Sequence, residues 1–321
     1  MPDSSPRNEA GHQIKMTWIE RQGIHPLLFA FITLVIIFFL YQLVGGLLTF
    51  LLFGVEPLEK SLFGYRLATG VGQLLFILLP TVVLVLLASN RPKDYLRIIR
   101  PELKVLLVPI IGIVALQPVL QIYLIFQDRL PMPQEIQSTL EKFRDLFESL
   151  YRQLVGSASL TELSWVIFVI ALIPAFAEEF MFRGLIQRTI EKSLSPMQSV
   201  LVTGVIFAAY HLNPFSFIPL VAIGIYLGFI VIRSGSIWVP ITAHFVNNAL
   251  ACAALYFKLE DDYLIVGNAG DMSTAGLLAT FWFFGVIFLV STMYFVKITK
   301  KSIQPADQIV SNGQERENKG E

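Results

Sequence analysis

Eight long apolar runs most constrain what this chain folds into. A helix of about 20 apolar residues crosses the hydrocarbon of a bilayer. The runs lie at residues 26–53, 67–88, 104–127, 163–187, 197–212, 217–232, 237–257 and 275–296. With 55% hydrophobic and only 15% charged residues, the chain is too apolar for a soluble globular protein. The sequence therefore predicts an all-α, polytopic integral membrane protein with about eight transmembrane helices. Because the fifth and sixth runs are short, a helix pair broken at membrane depth is the alternative there.

Positive charges between the runs predict the orientation. If both termini are cytoplasmic, the inner segments hold 17 of the 24 Lys and Arg residues and the outer segments hold 7. Because cytoplasmic loops carry such an excess, we expect both ends inside. The first run is too long for a signal-peptide core and is expected to stay attached.

The rest of the composition mainly excludes functions. A net charge of zero gives no indication of a nucleic-acid partner. The single cysteine, Cys252, excludes an internal disulfide and a cysteine-based metal cluster. It falls in an apolar run, where we expect a small buried core residue.

One polar stretch between the third and fourth runs has helical periodicity. Residues 134–154 carry apolar side chains at helical spacing among charges: Ile136, Leu140, Phe143, Phe147, Leu150 and Leu154. This pattern predicts an amphipathic helix. It fits a helix lying on the outer interface, a lid over a site, or a plain connector between spans.

The fourth run contains ionisable residues at bilayer depth, where charge is costly and seldom accidental. Glu178 and Glu179 are adjacent, and Arg183 lies four residues after Glu179 and hence on its helix face. We expect Glu179 to pair with Arg183 while Glu178, about 100° away, stays free. Pro174 removes one backbone hydrogen bond and is expected to kink the helix, leaving room beside Glu178. The alternative is a salt bridge that only locks packing.

Two histidines fall in the runs that follow. Glu178 lies 15 residues before Ser193, and His211 lies 15 residues after Pro196, so an antiparallel hairpin brings them to one height. His244 and Asn248 share a face of the seventh run and are expected to converge on Glu178 from a second direction, with helix tilt correcting a height mismatch.

These residues resemble a known family. Glu178-Glu179-x-x-x-Arg183, Phe207-x-x-x-His211 and His244-x-x-x-Asn248, with Gly-Ser-Ile-Trp-x-Pro before the last, are similar to the three motifs of the CAAX-protease and bacteriocin-processing (Abi, type II CAAX prenyl endopeptidase) family. The resemblance covers about residues 160–258. It implies an intramembrane endopeptidase in which Glu178 and His211 activate a water, His244 and Asn248 assist, and Glu179 with Arg183 supports the site.

Two mechanisms remain open. In one, Zn²⁺ is held by Glu178, His211 and His244 and lowers the pKa of its bound water. In the other, which we favour, no cofactor is needed: Glu178 is the general base, helped by His211, and His244 with Asn248 donates to the oxyanion. An amide suits oxyanion binding better than zinc ligation.

The resemblance also implies partners and a location. We expect a membrane-associated peptide or protein substrate, the lipid bilayer as environment, and a bacterial plasma membrane. The predicted organisation is a polar tail at 1–26, transmembrane helices with an amphipathic connector at 27–158, a protease-like core at 159–258, a last transmembrane helix at 259–302 and a disordered tail at 303–321. The competing function is a catalytically silent scaffold or bacteriocin-immunity protein of the same fold; a proton-coupled transporter is more distant, because no repeated halves are visible.

Overall fold

The computed structural model describes residues 16–54, 61–131, 133–258 and 273–299, without the side chain at position 136. Within these ranges every regular element is helical, which confirms the predicted all-α class. The helices are α1 (Trp18–Arg21), α2 (Pro26–Phe53), α3 (Leu62–Ala88), α4 (Pro92–Tyr95), α5 (Leu103–Asp128), α6 (Gln134–Val155), α7 (Leu160–Ile190), α8 (Pro196–Tyr210), α9 (Phe217–Ser234), α10 (Trp238–Tyr256) and α11 (Thr274–Ile298). The predicted tail at 1–26 lies partly, and that at 303–321 entirely, outside the described residues.

The predicted spans differ in how well they suit a bilayer. Among the described residues, six helices are long and apolar enough to cross one, namely α2, α3, α5, α7, α9 and α11. α8 is apolar but has only 15 residues. α10 has 19 residues, and His244, Asn247 and Asn248 lower its hydropathy. The chain is therefore a polytopic membrane protein, whereas eight crossings remain a prediction.

α7 contains wide, π-helical turns on both sides of the glutamate pair. They span Ile167–Leu172 and Phe180–Gln187, and Pro174 follows the first of them. Proline cannot donate the bond that a regular turn requires, and the wider turn before Pro174 accommodates this without ending the helix. Turns of this kind are frequent at functional sites.

α8 and α9 form a tight hairpin. α8 begins with a capping box in which Ser195 and Gln198 each bond the other's backbone N–H, which fixes its start at Pro196. Gly204 and Gly224 let the two backbones touch, since a Cβ at Gly224 would lie 2.9 Å from the Cα of Gly204. His211 caps the end of α8, so this packing fixes where its ring lies.

The predicted amphipathic helix is observed as α6, and its C-terminal end is anchored. The Arg66 side chain from α3 is only 2% exposed and forms an ion pair of 2.6 Å with Glu162 of α7. It also donates to the carbonyls of Gln153, Leu154 and Gly156, which have no partner within the helix. One guanidinium therefore joins α6 to α3 and α7.

Candidate functional site

Glu179 and Arg183 form the predicted pair. Arg183 Nη1 donates to Glu179 Oε1 at 2.7 Å, and both side chains are fully buried. The guanidinium also donates to the Gly224 carbonyl of α9 at 3.0 Å and lies 4.7 Å above the Phe207 ring. Breaking the pair by removing one partner would leave an uncompensated buried charge.

His244 joins this pair. Its Nδ1 lies 2.8 Å from Glu179 Oε1, and because a carboxylate oxygen only accepts, Nδ1 carries the proton. We call Glu179, Arg183 and His244 the buried network. The sequence did not predict this bond, which occupies Nδ1 of His244 and leaves Nε2 as its second ring nitrogen. The Phe207 ring, with its centroid 4.5 Å from that of His211 and 5.9 Å from that of His244, packs against both histidines.

Glu178, His211 and Asn248 line a separate cavity of about 300 Å³, and we call them the cavity cluster. The hairpin of α7 and α8 brings Glu178 and His211 together as expected, because Glu178 Oε2 lies 3.9 Å from His211 Nε2. That separation is too long for a direct hydrogen bond. Among the described residues no group donates to Glu178 Oε2, although this oxygen is buried. Glu178 is thus free of a strong partner, as the sequence predicted.

A hydrogen bond to the backbone fixes the orientation of the His211 ring. Its Nδ1 lies 2.7 Å from the Phe207 carbonyl one turn earlier on α8. A carbonyl only accepts, so Nδ1 holds the proton, and in the neutral ring Nε2 is then an acceptor. Two acceptors, Nε2 and Glu178 Oε2, therefore face each other across the gap.

A chain of amides orients Asn248. Gln117 Nε2 of α5 donates to Asn247 Oδ1, and Asn247 Nδ2 donates to Asn248 Oδ1 at 3.2 Å. Because the oxygen of Asn248 is engaged, its NH₂ group is the end left for the cavity. Sequence reasoning placed Asn247 apart from the site and missed Gln117, whose only signal was an amide inside an apolar helix.

Sequence reasoning also did not predict that the N-terminal helices line the cavity. α2 contributes Tyr41 and Gln42 to its lining, and α3 contributes Thr69 and Gln73. Leu154 of α6 lines it as well, so α6 is part of the cavity wall. Polar residues within the first two apolar runs were the available signal.

Larger depressions lie elsewhere on the described residues: two, of about 400 and 440 Å³, lie between α6 and the helices α5, α9 and α10, and one of about 520 Å³ lies along α11. Their described lining carries charged residues such as Arg144 and Glu148 but no histidine. The smaller cavity is therefore the candidate site because of the side chains that line it, Glu178, His211 and Asn248, and not because of its volume.

The residues proposed as zinc ligands do not fit that ion. A catalytic zinc site takes three protein ligands. Glu178 and His211 are neighbours, whereas the Nδ1 of His244 binds Glu179 and only its Nε2 would be left as a ligand. Nowhere in the part of the chain that the structure describes do three or more His, Cys, Asp or Glu side chains form a group suited to a metal.

Fold and site together define a class: a polytopic helical membrane protein with a carboxylate, an imidazole and an amide around an internal cavity. Residues 160–250 match the family model of the Rce1-like type II CAAX prenyl endopeptidases. The resemblance predicted from the three motifs is thereby confirmed over this segment, which contains both clusters and implies a CAAX-type intramembrane protease fold.

One relative supports the same region. The chain is 36% identical over 96 residues to the uncharacterized protein YpbD of Bacillus subtilis (strain 168). The match covers 29% of this chain and 47% of YpbD, so the chain spans about half the length of the curated relative it matches. No solved structure matches the chain.

Proposed function

We propose that this protein is an intramembrane endopeptidase that hydrolyses a peptide bond of a membrane-associated protein or peptide. The observation that carries the proposal is the pair of acceptors, Glu178 Oε2 and His211 Nε2, 3.9 Å apart beside a cavity within the helices. The match of this segment to a family of endopeptidases supports the same reaction.

A water molecule is the group that suits this gap. A water at about 2.8 Å from both atoms donates one hydrogen to Glu178 and the other to His211. Its lone pair then points away from both acceptors and towards the substrate. In this arrangement Glu178 is the general base, and His211 orients the nucleophile.

The reaction then needs only groups of the cavity cluster. As the water oxygen bonds the scissile carbonyl carbon, Glu178 takes one proton, and the NH₂ of Asn248 donates to the oxyanion. Glu178 passes that proton to the leaving nitrogen while the carbon–nitrogen bond breaks. The new carboxyl group releases the remaining water proton to His211 or to solvent, which leaves a carboxylate and an amine.

We assign the buried network a positioning role. His244 and Asn248 lie one turn apart on α10, so the bond between His244 and Glu179 sets the height of Asn248 relative to Glu178 on α7. This differs from the assisting catalytic role that the family resemblance gives to His244. It agrees with the supporting role expected for Glu179 and Arg183.

The substrate is expected to be presented by the membrane. The cavity lies among helices of bilayer length, so a soluble folded protein cannot reach it, whereas a segment anchored in or on the bilayer can. A bacterial plasma membrane remains our proposed location. Both termini are proposed to be cytoplasmic because of the distribution of Lys and Arg.

Comparison of membrane peptidomes tests the proposal. Cells producing the wild type are compared with cells producing Glu178→Gln, which keeps shape and volume but removes the base. Glu141→Gln, an exposed glutamate on α6, is the matched control. We expect fragments that appear with the wild type and the control and are absent with Glu178→Gln. Identical peptidomes in all three would favour the scaffold or immunity alternative.

A further inference from the structure

The N-terminal helices place a second set of polar groups at the cavity, outside the segment that matches the family. Tyr41 and Gln42 of α2 and Thr69 and Gln73 of α3 line it, and we call them the polar wall. Residues 160–250 alone carry the family match, so neither the match nor the motifs assigns these four a role.

Two members of the polar wall are already satisfied within the protein. Gln42 Nε2 donates to the Tyr210 carbonyl at 3.1 Å, and Thr69 Oγ1 donates to the Tyr65 carbonyl of its own helix at 3.0 Å. Their geometry is explained by packing. They carry no further argument.

Gln73 and Tyr41, in contrast, each keep hydrogen-bonding capacity that the described residues do not use. Gln73 is 7% exposed, and its Nε2 donates to Tyr41 Oη over a long 3.4 Å. Its Oε1 is buried and receives no hydrogen bond from any described residue. Tyr41 accepts from Gln73, which leaves its own hydroxyl hydrogen available to donate. The wall thus offers the cavity one acceptor and one donor.

A buried acceptor without a hydrogen bond destabilises the protein, so a ligand that satisfies it gains affinity. A peptide drawn into the bilayer brings both kinds of partner, because each of its residues has an N–H and a carbonyl that have left water. The cavity of about 300 Å³ is at the small end of ligand sites and suits a short extended segment. Apolar side chains complete its lining, among them Ile77, Ile170 and Met181.

We propose that Gln73 and Tyr41 bind the main chain of an extended, apolar substrate peptide beside the bond to be cut, with Gln73 Oε1 accepting a substrate N–H and Tyr41 donating to a substrate carbonyl. This inference rests on the proposed endopeptidase function and adds two positioning residues to it. Neither residue contacts the reacting atoms, so both act on binding more than on the chemical step.

Kinetics in proteoliposomes test this with short, acyl-anchored, internally quenched peptides. Gln73→Leu removes the acceptor and is expected to raise KM about 10-fold, with kcat within threefold. Tyr41→Phe keeps the ring and is expected to raise KM a few-fold. The control is Thr49→Val, on α2 away from the cavity, where the hydroxyl donates only to the Gly45 carbonyl. An unchanged KM in Gln73→Leu and Tyr41→Phe overturns the inference.

An ester scan identifies the contact itself. Replacing one substrate amide by an ester removes a single N–H and keeps the shape of the chain. At one position we expect the ester to weaken binding to the wild type about 10-fold but to leave Gln73→Leu unaffected. Independent, multiplying effects of ester and mutation at every position overturn the contact. If Gln73→Leu does not fold, Tyr41→Phe is tested against esters that weaken the neighbouring carbonyl acceptor.

Failure of the two proposals is distinguishable. Cleavage that survives Glu178→Gln refutes the proposed function whatever Gln73 does, whereas cleavage lost in Glu178→Gln with an unchanged KM in Gln73→Leu refutes only the polar wall. If the wild type cuts no peptide of the set, photo-crosslinking of the same peptides replaces KM. Weaker crosslinking in Gln73→Leu then supports the wall, and equal crosslinking, or none to the wild type, overturns it.

Discussion

Glu179 shares its Oε1 between Arg183 at 2.7 Å and His244 at 2.8 Å, whereas its neighbour Glu178 lies beside a cavity, 3.9 Å from His211. One peptide bond separates the two carboxylates, but the helix turns them by about 100° into different surroundings. The pair Glu179–Arg183 is sealed from solvent and spans α7, α9 and α10 through its partners. The comparison teaches that two identical side chains can have different surroundings, one paired with a cation and one beside a cavity, and the reactive role that we propose for Glu178 depends on this difference.

The largest effect should come from breaking the buried network. We expect Glu179→Gln and Arg183→Ala to lower the free energy of unfolding by about 3 to 5 kcal/mol each, because either change leaves a buried charge or donor uncompensated. Glu178→Gln should change it by less than about 1 kcal/mol, since no ion pair of hydrogen-bonding length is lost. Unfolding in mixed micelles, followed by circular dichroism, measures all three. Equal losses at both glutamates would contradict the division into two regions.

The next effect sharpens the role of the cavity cluster. Asn248→Ala removes the proposed oxyanion donor and should lower kcat about 10²- to 10³-fold with little change in KM, because the contact would strengthen only in the transition state. Steady-state kinetics on a peptide from the peptidome comparison measures the split. A rise in KM at constant kcat would instead place Asn248 in ground-state binding.

A smaller effect is expected at Gln117, which acts on Asn248 through Asn247. Gln117→Leu leaves Asn247 without its donor and lets the Asn248 amide turn, so kcat should fall about 10-fold. Gln121→Leu, one turn further along α5 and lining the outer depressions, is the matched control and should stay within twofold of the wild type. If both variants behave alike, the amide chain does not orient the site.

The smallest effect should follow removal of metal. Dialysis against a chelator is expected to leave the rate within about twofold, because the described residues assemble no three-ligand zinc site. Elemental analysis of the active protein should find less than about one zinc in ten chains. Reversible loss of activity on chelation, with stoichiometric zinc, would show that the two regions rearrange into one metal site.

Much of the site followed from local spacing. The pair four residues apart, Glu179 with Arg183, needed only helical periodicity, and the meeting of Glu178 with His211 needed only a hairpin with equal arms. The same reasoning did not predict the bond of His244 to Glu179, because sharing a face with Asn248 does not fix how α10 is tilted and rotated against α7. Sequence reasoning did not place Gln117, Tyr41 or Gln73 near the site, because they lie far from the motifs in sequence.

The sequence by itself determined that this is a helical membrane protein and that the residues of its three motifs fall in α7, at the end of α8 and in α10, because apolar length and helical period are local properties of the chain. Only the tertiary structure decided which partner each polar side chain takes. Three packing features separate the buried network from the cavity cluster. They are the close contact of Gly204 with Gly224, the Phe207 ring packed against both histidines, and the approach of α2 and α3. Packing between helices sets these distances, and no local pattern encodes them.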